Sequence, residues 1–464
     1  QPIARSCCMS AMQLYNTLSR QKQVFTPIDP SHVRVYACGP TVYGRIHVGN
    51  ARPIVVFDVL VRVLRRLYDR VTYVRNITDV DDKINERAAA NGQTIEDLCA
   101  ETITSFHADT AALGAEPPDV EPRATHHIDE MIAMISVLID KGHAYATDGH
   151  VLFQVTTMDN YGALSKRSME DMIAGARVEV APYKRAPEDF VLWKPSAPEQ
   201  PGWDSPWGRG RPGWHIECSA MAKTYLGDVF DIHAGGLDLI FPHHENEIAQ
   251  SCCAHGTSHM AKYWLHNGFV TMNDEKMSKS LGNIITVEEA TSRYRPEVVR
   301  AALLSAHYRA PLDLSDSTMQ DAHNSLNRLY RAAGTAQISD DHVDDEFLTC
   351  LCDDLNTPAA MARLHELARC ANKGDAAAAT ALKSSASLLG LLSQRADAWA
   401  KGGAMVSGSD DQQLDDAAID AEIAARNEAR AARNFAKADA IRDKLAAAGI
   451  MLEDGQDGTI WRRS

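Results

Sequence analysis

The first third of the chain alternates short β-branched runs with amphipathic helical stretches. VRVYACGPTVYG (33–44) fits a strand that ends in a Gly/Pro turn, residues 51–68 show helical periodicity, and VTYVRNITDV (71–80) returns to the strand pattern. A strand–helix–strand order of this kind favours a parallel sheet with a right-handed crossover. We then expect a phosphate-binding turn at the C-terminal end of the first strand.

Farther along, the pattern loosens and then recovers, which predicts an insertion within a sheet domain. Residues 121–214 combine a helical stretch, short strand-like segments and a run rich in Pro, Gly and Trp. The sheet pattern resumes with DVFDIHAGGLDLIF, and beyond residue 315 helix-forming residues dominate. We predict an α/β fold made of an N-terminal extension (1–11), two halves of a parallel-sheet domain (12–120 and 215–315), an insertion (121–214), a helical bundle (316–400), and a linker with a small C-terminal domain (401–464).

Composition and charge narrow the class of protein. The chain has 464 residues, 45% of them hydrophobic, and contains no run of about eighteen apolar residues, so we expect no membrane span. The formal charge of −15 argues against a general nucleic-acid coater, although basic stretches at 62–66 and 426–433 leave a specific nucleic-acid ligand open. The first residues lack the apolar core of a signal peptide, and we expect a cytoplasmic enzyme.

The segment CGPTVYGRIHVGN (38–50) is the first candidate for chemistry. We expect a strand to end at Cys38 and a helix to begin near His47, and the free N–H groups of a helix N-terminus attract phosphate. The imidazole of His47 adds a hydrogen-bonding group, and Gly49 lets another group approach the backbone closely. Taken alone, a histidine before a helix more often has a structural role.

The segment KMSKS (276–280) is the second candidate. Lys276 and Lys279 stand three residues apart among hydroxyl side chains. Two ammonium groups would stabilise the charge that develops on a departing pyrophosphate. Two lysines at this spacing are usually part of a solvated turn, whereas the longer string KMSKSLGN is more specific.

A third group of residues suggests a metal site. In FPHHENEIAQS, helical spacing puts His243 and Glu247 on one face at i and i+4, and His244 is the neighbouring alternative. Cys38 and Cys218 would complete a Cys₂HisGlu set for zinc. Each of these residues, taken singly, is more often structural. Most other cysteines are expected to pack as small hydrophobic residues, notably Cys252 and Cys253.

Together these segments resemble the cysteinyl-tRNA synthetase family. HVGN, followed about 230 residues later by KMSKS, is similar to the two signature motifs of class I aminoacyl-tRNA synthetases. The resemblance runs from about Leu14 to Trp461 and includes YVRNITDVDDKI, PRATHHI and DDLNTPAA. Asn50 departs from the signature, which usually has a second histidine there, but Asn50 can still donate a hydrogen bond. The family's zinc site is matched residue by residue by Cys38, Cys218, His243 and Glu247.

The resemblance implies a fold and an activity. The fold is a Rossmann-type catalytic domain with an insertion, followed by an α-helical bundle and a small anticodon-binding domain. The activity is ligation of L-cysteine to tRNA(Cys) through a cysteinyl-adenylate formed from ATP, with release of pyrophosphate. One zinc ion per chain would select the substrate thiolate over the hydroxyl of serine, and Mg²⁺ would accompany ATP. We expect a monomer.

The resemblance also assigns roles to individual residues. Catalysis falls to His47, Asn50, Lys276 and Lys279, and contacts to ATP to His47, Gly49, Asn50, Gly236, Asp238 and Lys279. The cysteine pocket is lined by Thr41, Trp214 and His233. The anticodon is contacted by Arg430, Phe435 and Asp439, where an exposed ring would stack on an unpaired base.

Two other interpretations compete with this one. A related cysteine ligase that uses an amino-sugar acceptor shares the zinc and ATP sites but lacks a C-terminal tail like that of this chain. A catalytically inactive tRNA-binding paralogue is favoured only by Asn50.

Overall fold

The computed structural model describes residues 11–167, 181–272, 275–276, 283–401, 416–455 and 458–463. The predicted N-terminal extension, apart from residue 11, and most of the predicted linker lie outside these ranges. The chain divides into two compact units. The first comprises 1–287, 303–314 and 348–360, and the second comprises 288–302, 315–347 and 361–464.

The described part of the first unit contains short strands, which form four separate sheets of two to four strands. In chain order they are β1 (Gln13–Asn16), β2 (Gln21–Val24), β3 (Val33–Ala37), β4 (Val71–Arg75), β5 (Ala144–Thr147), β6 (His150–Phe153), β7 (Phe190–Pro195), β8 (Gly210–Pro212), β9 (Phe230–Gly236), β10 (Ala261–Asn267), β11 (Val270–Met272), β12 (Glu275–Lys276) and β13 (Leu312–Asp313).

The central sheet has the order β10–β9–β3–β4, and all its neighbouring strands are parallel. Valines alternate with other residues in β3 and recur in β4, and most positions of both strands are buried, as expected inside a parallel sheet. Helix α1 (Val48–Leu67) connects these two strands. The predicted parallel strand–helix–strand unit is therefore confirmed, and its strands end at the edge that carries the 38–50 segment.

Two further helices of this region begin at residues whose side chains cap them. Asp81 caps α2 (Asp82–Asn91), which Gly92 ends in the left-handed conformation, and Thr94 caps α3 (Ile95–Ala112). The other helices are α4 (Ile128–Asp140), α5 (Trp214–Leu226) and α6 (Glu245–His255).

The predicted insertion contains an antiparallel sheet with the order β5–β6–β7–β8. Helix α4 packs beside it, and both share a core with α5 and α6 that includes Met131, Phe153 and Trp193. The sequence had indicated only short strand-like segments here, because strands of three to six residues carry little periodic signal.

One basic stretch on α1 does not form a free cationic surface. Arg62 pairs with Asp58 at 2.9 Å and with Glu116 at 3.1 Å. Arg65 pairs with Glu116 at 2.7 Å and with Asp119 at 2.9 Å. The positive charges of these two arginines are therefore balanced by nearby carboxylates, of which Asp58 lies one helical turn before Arg62 and the others come from beyond α3.

The second unit is mostly helical. The helices from residue 287 onward are α7 (Val287–Arg293), α8 (Pro296–Leu303), α9 (Asp316–Ala333), α10 (Asp345–Cys352), α11 (Thr357–Ala371), α12 (Ala376–Leu388) and α13 (Ala396–Lys401), of which residues 348–360 in α10 and α11 belong to the first unit. The ring of Trp399 stacks on Tyr330 with centroids 4.3 Å apart, and the guanidinium of Arg295 lies 3.4 Å from the centroid of Trp399. The predicted helical region after the sheet is thus confirmed.

The C-terminal end of the chain has a small core of its own. It contains α14 (Asp416–Ala431), α15 (Phe435–Ala447) and the antiparallel hairpin β14–β15 (Ile450–Gly455 and Gly458–Arg463). Ile419, Leu445 and Trp461 are buried together in that core. Among the residues that the structure describes, no helix has the length and apolar character that crossing a membrane requires.

Candidate active site and metal centre

The turn after β3 brings Cys38 into the middle of the sheet edge. The Cys38 N–H donates to the Ala234 carbonyl on β9 at 3.1 Å, and the Gly39 N–H donates to Asn76 Oδ1 at 2.9 Å. A Cβ atom on Gly39 would lie 1.6 Å from the Asn76 carbonyl oxygen. Only glycine therefore allows this close approach, and the approach fixes where the Cys38 thiol points.

Helix α1 begins at the predicted position, with His47 as its N-cap. His47 Nδ1 accepts from the Asn50 N–H at 3.3 Å, and Asn50 Oδ1 accepts from the His47 N–H at 3.4 Å. This reciprocal capping box satisfies two N–H groups of the first turn. The Val48 N–H donates to the Ile285 carbonyl at 3.0 Å, so the chain that follows KMSKS returns to the start of this helix.

Four side chains predicted to bind a metal meet at the same sheet edge. The thiols of Cys38 and Cys218 lie 3.9 Å apart and form no disulfide. Cys38 Sγ lies 3.7 Å from Glu247 Oε1, and His243 Nε2 lies 3.0 Å from that same oxygen. All four donor atoms lie within 4.8 Å of one another. The structure therefore brings together the turn after β3 (Cys38), helix α5 (Cys218), the segment just before α6 (His243) and α6 itself (Glu247).

These separations fit a tetrahedral ion. With metal–sulfur bonds of about 2.3 Å and metal–oxygen or metal–nitrogen bonds of about 2.0 Å, tetrahedral angles put two sulfurs about 3.8 Å apart and sulfur and oxygen about 3.5 Å apart. The observed distances of 3.9 Å between Cys38 and Cys218 and 3.7 Å between Cys38 and Glu247 agree with those values. The donor set thus fits the zinc ion that the family resemblance implies.

A second group of donors overlaps the first. It consists of Cys38, His233, His244 and Glu247. His244 Nε2 lies 3.3 Å from Cys38 Sγ, and His244 Nδ1 lies 2.8 Å from His266 Nε2. Because the two groups share Cys38 and Glu247, one ion can use only one of them. The first group offers two thiols, which zinc prefers in protein sites.

Burial sets the protonation of these groups. It raises the pKa of the Cys38 thiol well above its usual value and lowers the pKa of His243 and His244 well below theirs. Near neutral pH the imidazoles are therefore uncharged, the form in which histidine binds metals. A bound cation would compensate the cost of ionising the thiol.

The sequence analysis missed two histidines that surround the donors. His215 Nδ1 lies 2.9 Å from His243 Nδ1. His266 lies between His244 and Thr17, and its Nδ1 is 2.8 Å from the Thr17 hydroxyl oxygen. Burial lowers the pKa of His215 to about 4 and that of His266 to about 3. Partners of this kind orient the ligands of a metal site. His215 could have been noticed three residues before Cys218 on a helix, whereas His266 on β10 has no local signal.

Comparison with known proteins shows the family of this chain. Residues 24–324 match the tRNA synthetases class I (C) catalytic domain, 346–394 the DALR domain, and 415–462 the cysteinyl-tRNA ligase anticodon binding domain. A cysteine–tRNA ligase of Rhodospirillum centenum is 58% identical over 459 residues, covering 98% of this chain and 100% of that protein. One of Rhodospirillum rubrum is 56% identical over 462 residues, with the same coverage. The chain belongs to the cysteine–tRNA ligase family.

Solved structures agree with this family at the level of the fold. A methionyl-tRNA synthetase of Mycobacterium tuberculosis, in complex with methionyl-adenylate, superposes with a TM-score of 0.53 over 77% of this chain and 89% of that one. A putative arginyl-tRNA synthetase of Campylobacter jejuni superposes with a TM-score of 0.52 over 78% and 93%. At 14% and 13% sequence identity, these likenesses show the class I architecture alone.

In this member of the cysteine–tRNA ligase family, two residues assigned to the cysteine pocket contact the candidate metal ligands. Trp214 is 39% exposed, and its ring stacks on His243 with centroids 4.2 Å apart. His233 is fully buried, and its Nε2 lies 2.9 Å from Glu247 Oε2. Thr41 is half-buried in the turn after β3 and pairs with Thr78. Their roles toward the substrate stay predictions.

The residues assigned to ATP are only partly within the described structure. Gly236 ends β9, and Asp238 follows in an exposed single turn, close enough that a Cβ on Gly236 would lie 2.5 Å from Asp238 Oδ1. The backbone of Lys276 lies in β12 opposite Thr271. Lys279 lies outside the described residues, so its assignment stays a prediction.

The residues assigned to the anticodon lie on α14 and α15. Phe435 is 62% exposed at the first position of α15, as base stacking requires. Arg430 Nη1 lies 2.7 Å from Asp454, and Asp439 lies 3.2 Å from Arg442. Both charged residues therefore already have an ionic partner. Cys252 and Cys253 lie in neither metal-binding group, and Cys252 is buried, as expected for a packing residue.

Proposed function

We propose that this chain joins L-cysteine to tRNA(Cys) in two steps. The carboxylate of cysteine attacks the α-phosphate of ATP, which gives cysteinyl-adenylate and pyrophosphate, and the terminal adenosine of the tRNA then attacks the activated carbonyl. Support comes from the family membership, from the domain matches along the whole chain and, above all, from the group of two thiols, an imidazole and a carboxylate. Both steps depend on positioning and charge stabilisation.

Cys38, Cys218, His243 and Glu247 would hold one zinc ion. A zinc ion held there would supply a Lewis acid that favours an ionised substrate thiol over a hydroxyl. The buried imidazole of His243 is kept neutral by its surroundings, and His233 holds the second oxygen of Glu247. Trp214 covers His243 with its exposed ring and would cover the substrate side chain in the same way.

The triphosphate would lie at the N-terminus of α1. The helix dipole, the His47 ring, the Gly49 N–H and the side-chain amide of Asn50 would face the anionic oxygens, since the Asn50 N–H already donates to His47 and the Val48 N–H to Ile285. Lys276 and Lys279 would stabilise the leaving pyrophosphate, and Mg²⁺ would accompany ATP. We place the adenosine portion near the Gly236–Asp238 turn. We further propose that the enzyme acts in the cytoplasm as a monomer.

The C-terminal domain distinguishes this function from ligation to an amino sugar. Residues 415–462 match an anticodon binding domain, and the exposed ring of Phe435 is available for stacking. An enzyme with a small acceptor has no use for such a surface. We therefore propose tRNA as the acceptor.

A pair of assays on the purified chain tests this function. Cysteine-dependent exchange of pyrophosphate into ATP should occur without tRNA, and serine should not support it. Lys279→Ala should slow the exchange about 10²–10³-fold while cysteine binding is largely kept, because its charge matters most as pyrophosphate leaves. Exchange without subsequent charging of tRNA would refute tRNA as the acceptor, and absence of exchange would favour the inactive paralogue.

A further inference from the structure

A buried arginine lies on the first turns of α1, directly behind the phosphate-binding end. Arg52 is completely buried, and its side chain donates only to backbone carbonyls. Nη1 donates to Gly268 at 2.8 Å and to Phe269 at 3.0 Å, and Nη2 donates to His307 at 3.2 Å. No carboxylate within the described part of the chain forms an ion pair with Arg52. The guanidinium thus ties one helix to two other segments of the first unit.

Stability alone does not require a cation at this position. Burial lowers the pKa of Arg52 to about 10, so the side chain still carries its charge near neutral pH. Moving an ion out of water costs several kcal/mol, and Arg52 has no buried anion that would offset this. A methionine would replace the aliphatic part of this side chain without that cost. The role of the guanidinium therefore follows from the segments that it connects.

The carbonyls that Arg52 binds belong to the junction between β10 and β11. The Gly268 N–H donates to the Tyr308 carbonyl at 2.8 Å, and the Leu312 N–H donates to the Phe269 carbonyl at 3.0 Å. A Cβ on Gly268 would lie 2.5 Å from the Ala310 carbonyl oxygen. This junction is consequently packed tightly against residues 307–312. The hydrogen bonds of Arg52 connect both segments to α1.

From this junction the chain runs through β11 into β12, which ends at Lys276. On the far side of KMSKS, the Val287 N–H donates to the Ile46 carbonyl at 3.0 Å and the Val48 N–H donates to the Ile285 carbonyl at 3.0 Å. The two connections that flank KMSKS are thus both attached to residues 46–52. One attachment uses backbone groups, and the other depends on the side chain of Arg52.

We propose that Arg52 is a positioning residue that sets the distance between the His47 end of helix α1 and the strand that carries Lys276. This inference rests on the proposed function, because that spacing matters when both ends contact one triphosphate. Arg52 itself touches neither substrate. Its removal would let the β10–β11 junction shift, and a displacement of about 1 Å can cost about 10²-fold in rate.

The test compares three variants of the full-length chain. Arg52→Met removes the donors and keeps only the unbranched apolar stem, and Arg52→Lys restores the charge but provides no planar fork for three carbonyls. Arg300→Met is the matched control, because Arg300 in the second unit is also fully buried and donates to a backbone carbonyl, that of Leu389, at 2.6 Å. Zinc content, the KM for cysteine and the maximal rate of pyrophosphate exchange are measured for each.

For Arg52→Met we expect a maximal exchange rate lower by about 10²-fold, with zinc content and the KM for cysteine as in the unmodified chain. Arg52→Lys should recover part of the rate, and Arg300→Met should exchange at the normal rate even if it unfolds more easily. Wild-type exchange by Arg52→Met, or an equal loss in Arg300→Met, would overturn the proposal.

Amide hydrogen exchange provides a second measurement that does not depend on activity. Arg52→Met should take up deuterium faster than the unmodified chain in residues 268–272, and Arg300→Met should not. Unchanged uptake there would also overturn the proposal. If the unmodified chain fails to exchange pyrophosphate, the proposed function is refuted, and deuterium uptake alone decides whether Arg52 holds the junction.

Discussion

His47 and Asn50 cap each other at the start of helix α1. The imidazole of His47 accepts from the Asn50 N–H at 3.3 Å, and the amide oxygen of Asn50 accepts from the His47 N–H at 3.4 Å. The asparagine that replaces the second histidine of the class I signature therefore has a structural task in this helix. Only the amide N–H₂ of Asn50 is left to donate toward a nucleotide.

Substitutions of Asn50 should separate capping from nucleotide binding. Asn50→Ala should lower the free energy of unfolding by about 1 kcal/mol because one arm of the capping box is lost. Asn50→Asp keeps the accepting oxygen, so its stability should stay near normal, but its negative charge should slow pyrophosphate exchange. Denaturant unfolding and the exchange assay measure the two effects. Normal exchange by both variants would leave Asn50 with the capping role alone.

Cys218→Ser should remove zinc from the protein. The unmodified chain should contain about one zinc ion, and the variant should lose it together with cysteine activation while ATP binding is largely kept, since a hydroxyl is a poor substitute for thiolate. Metal analysis after dialysis gives the answer. Cys252→Ser is the matched control, because Cys252 is also buried but lies in neither group of candidate metal ligands.

Retention of zinc by Cys218→Ser would contradict the proposed ligand set and point to the alternative group. In that case His233→Gln should lose the ion instead, because His233 belongs only to the alternative group. Loss in Cys218→Ser with retention in His233→Gln is the expected result.

The metal-free protein should lose stability on mild acidification. His215 and His266 have folded-state pKa values of about 4 and about 3, below the ordinary value of about 6.5 for the unfolded chain. Between about pH 6.5 and about pH 4 the unfolded state therefore binds protons that the folded state does not. The free energy of unfolding should fall with pH by up to about 1.4 kcal/mol per unit for each histidine.

Denaturant unfolding of the metal-free chain at a series of pH values measures this slope. His266→Asn should show a shallower slope than the unmodified chain, whatever its absolute stability, because one proton-binding difference has been removed. A stability that stays constant across this range would show that the two histidines are protonated in the folded state.

Deletion of the C-terminal domain should uncouple the two reaction steps. A chain ending near residue 410 should keep zinc and cysteine-dependent pyrophosphate exchange, since all metal-binding residues lie within the first unit. Charging of tRNA should collapse. Phe435→Ala should weaken tRNA binding by about 1–3 kcal/mol, the contribution of one stacked base.

Circular dichroism must first show that the truncated chain is folded. Leu445→Ala provides a contrast to Phe435→Ala, because Leu445 is buried in the core of the same domain and should affect its stability. A folded truncation that charges tRNA as well as the full chain would refute the anticodon assignment.

The sequence was sufficient for those features that arise from local pattern or short motifs. The β3–α1–β4 unit follows from β-branched runs on either side of an amphipathic helix, and the start of α1 follows from HVGN. The i, i+4 spacing of His243 and Glu247 likewise appears in the structure as a contact of 3.0 Å. In each case the interacting groups are close in sequence or belong to a string with specific spacing.

Other features depend on pairings that no local pattern reveals. His266 looks like an ordinary strand residue until β10 is placed beside β9, and only then does its ring reach His244. Arg52 reads as a polar position on α1, yet it is buried because residues 268–269 and 307 cover it. The same is true of Arg62 and Arg65, whose acidic partners are set by tertiary packing.

Cys38 and His47 lie at the two ends of one short connection. Cys38 belongs to the group of candidate metal ligands, and His47 caps the helix for which we propose contacts to ATP. The close contact of Gly39 with Asn76 fixes one end of that connection, and the capping box fixes the other. If the stiffness of this connection transmits metal binding to the helix, the two ligands are thermodynamically linked. The factor by which bound zinc raises the affinity for ATP would then equal the factor by which bound ATP raises the affinity for zinc. Saturating ATP would therefore slow the removal of zinc by a chelator.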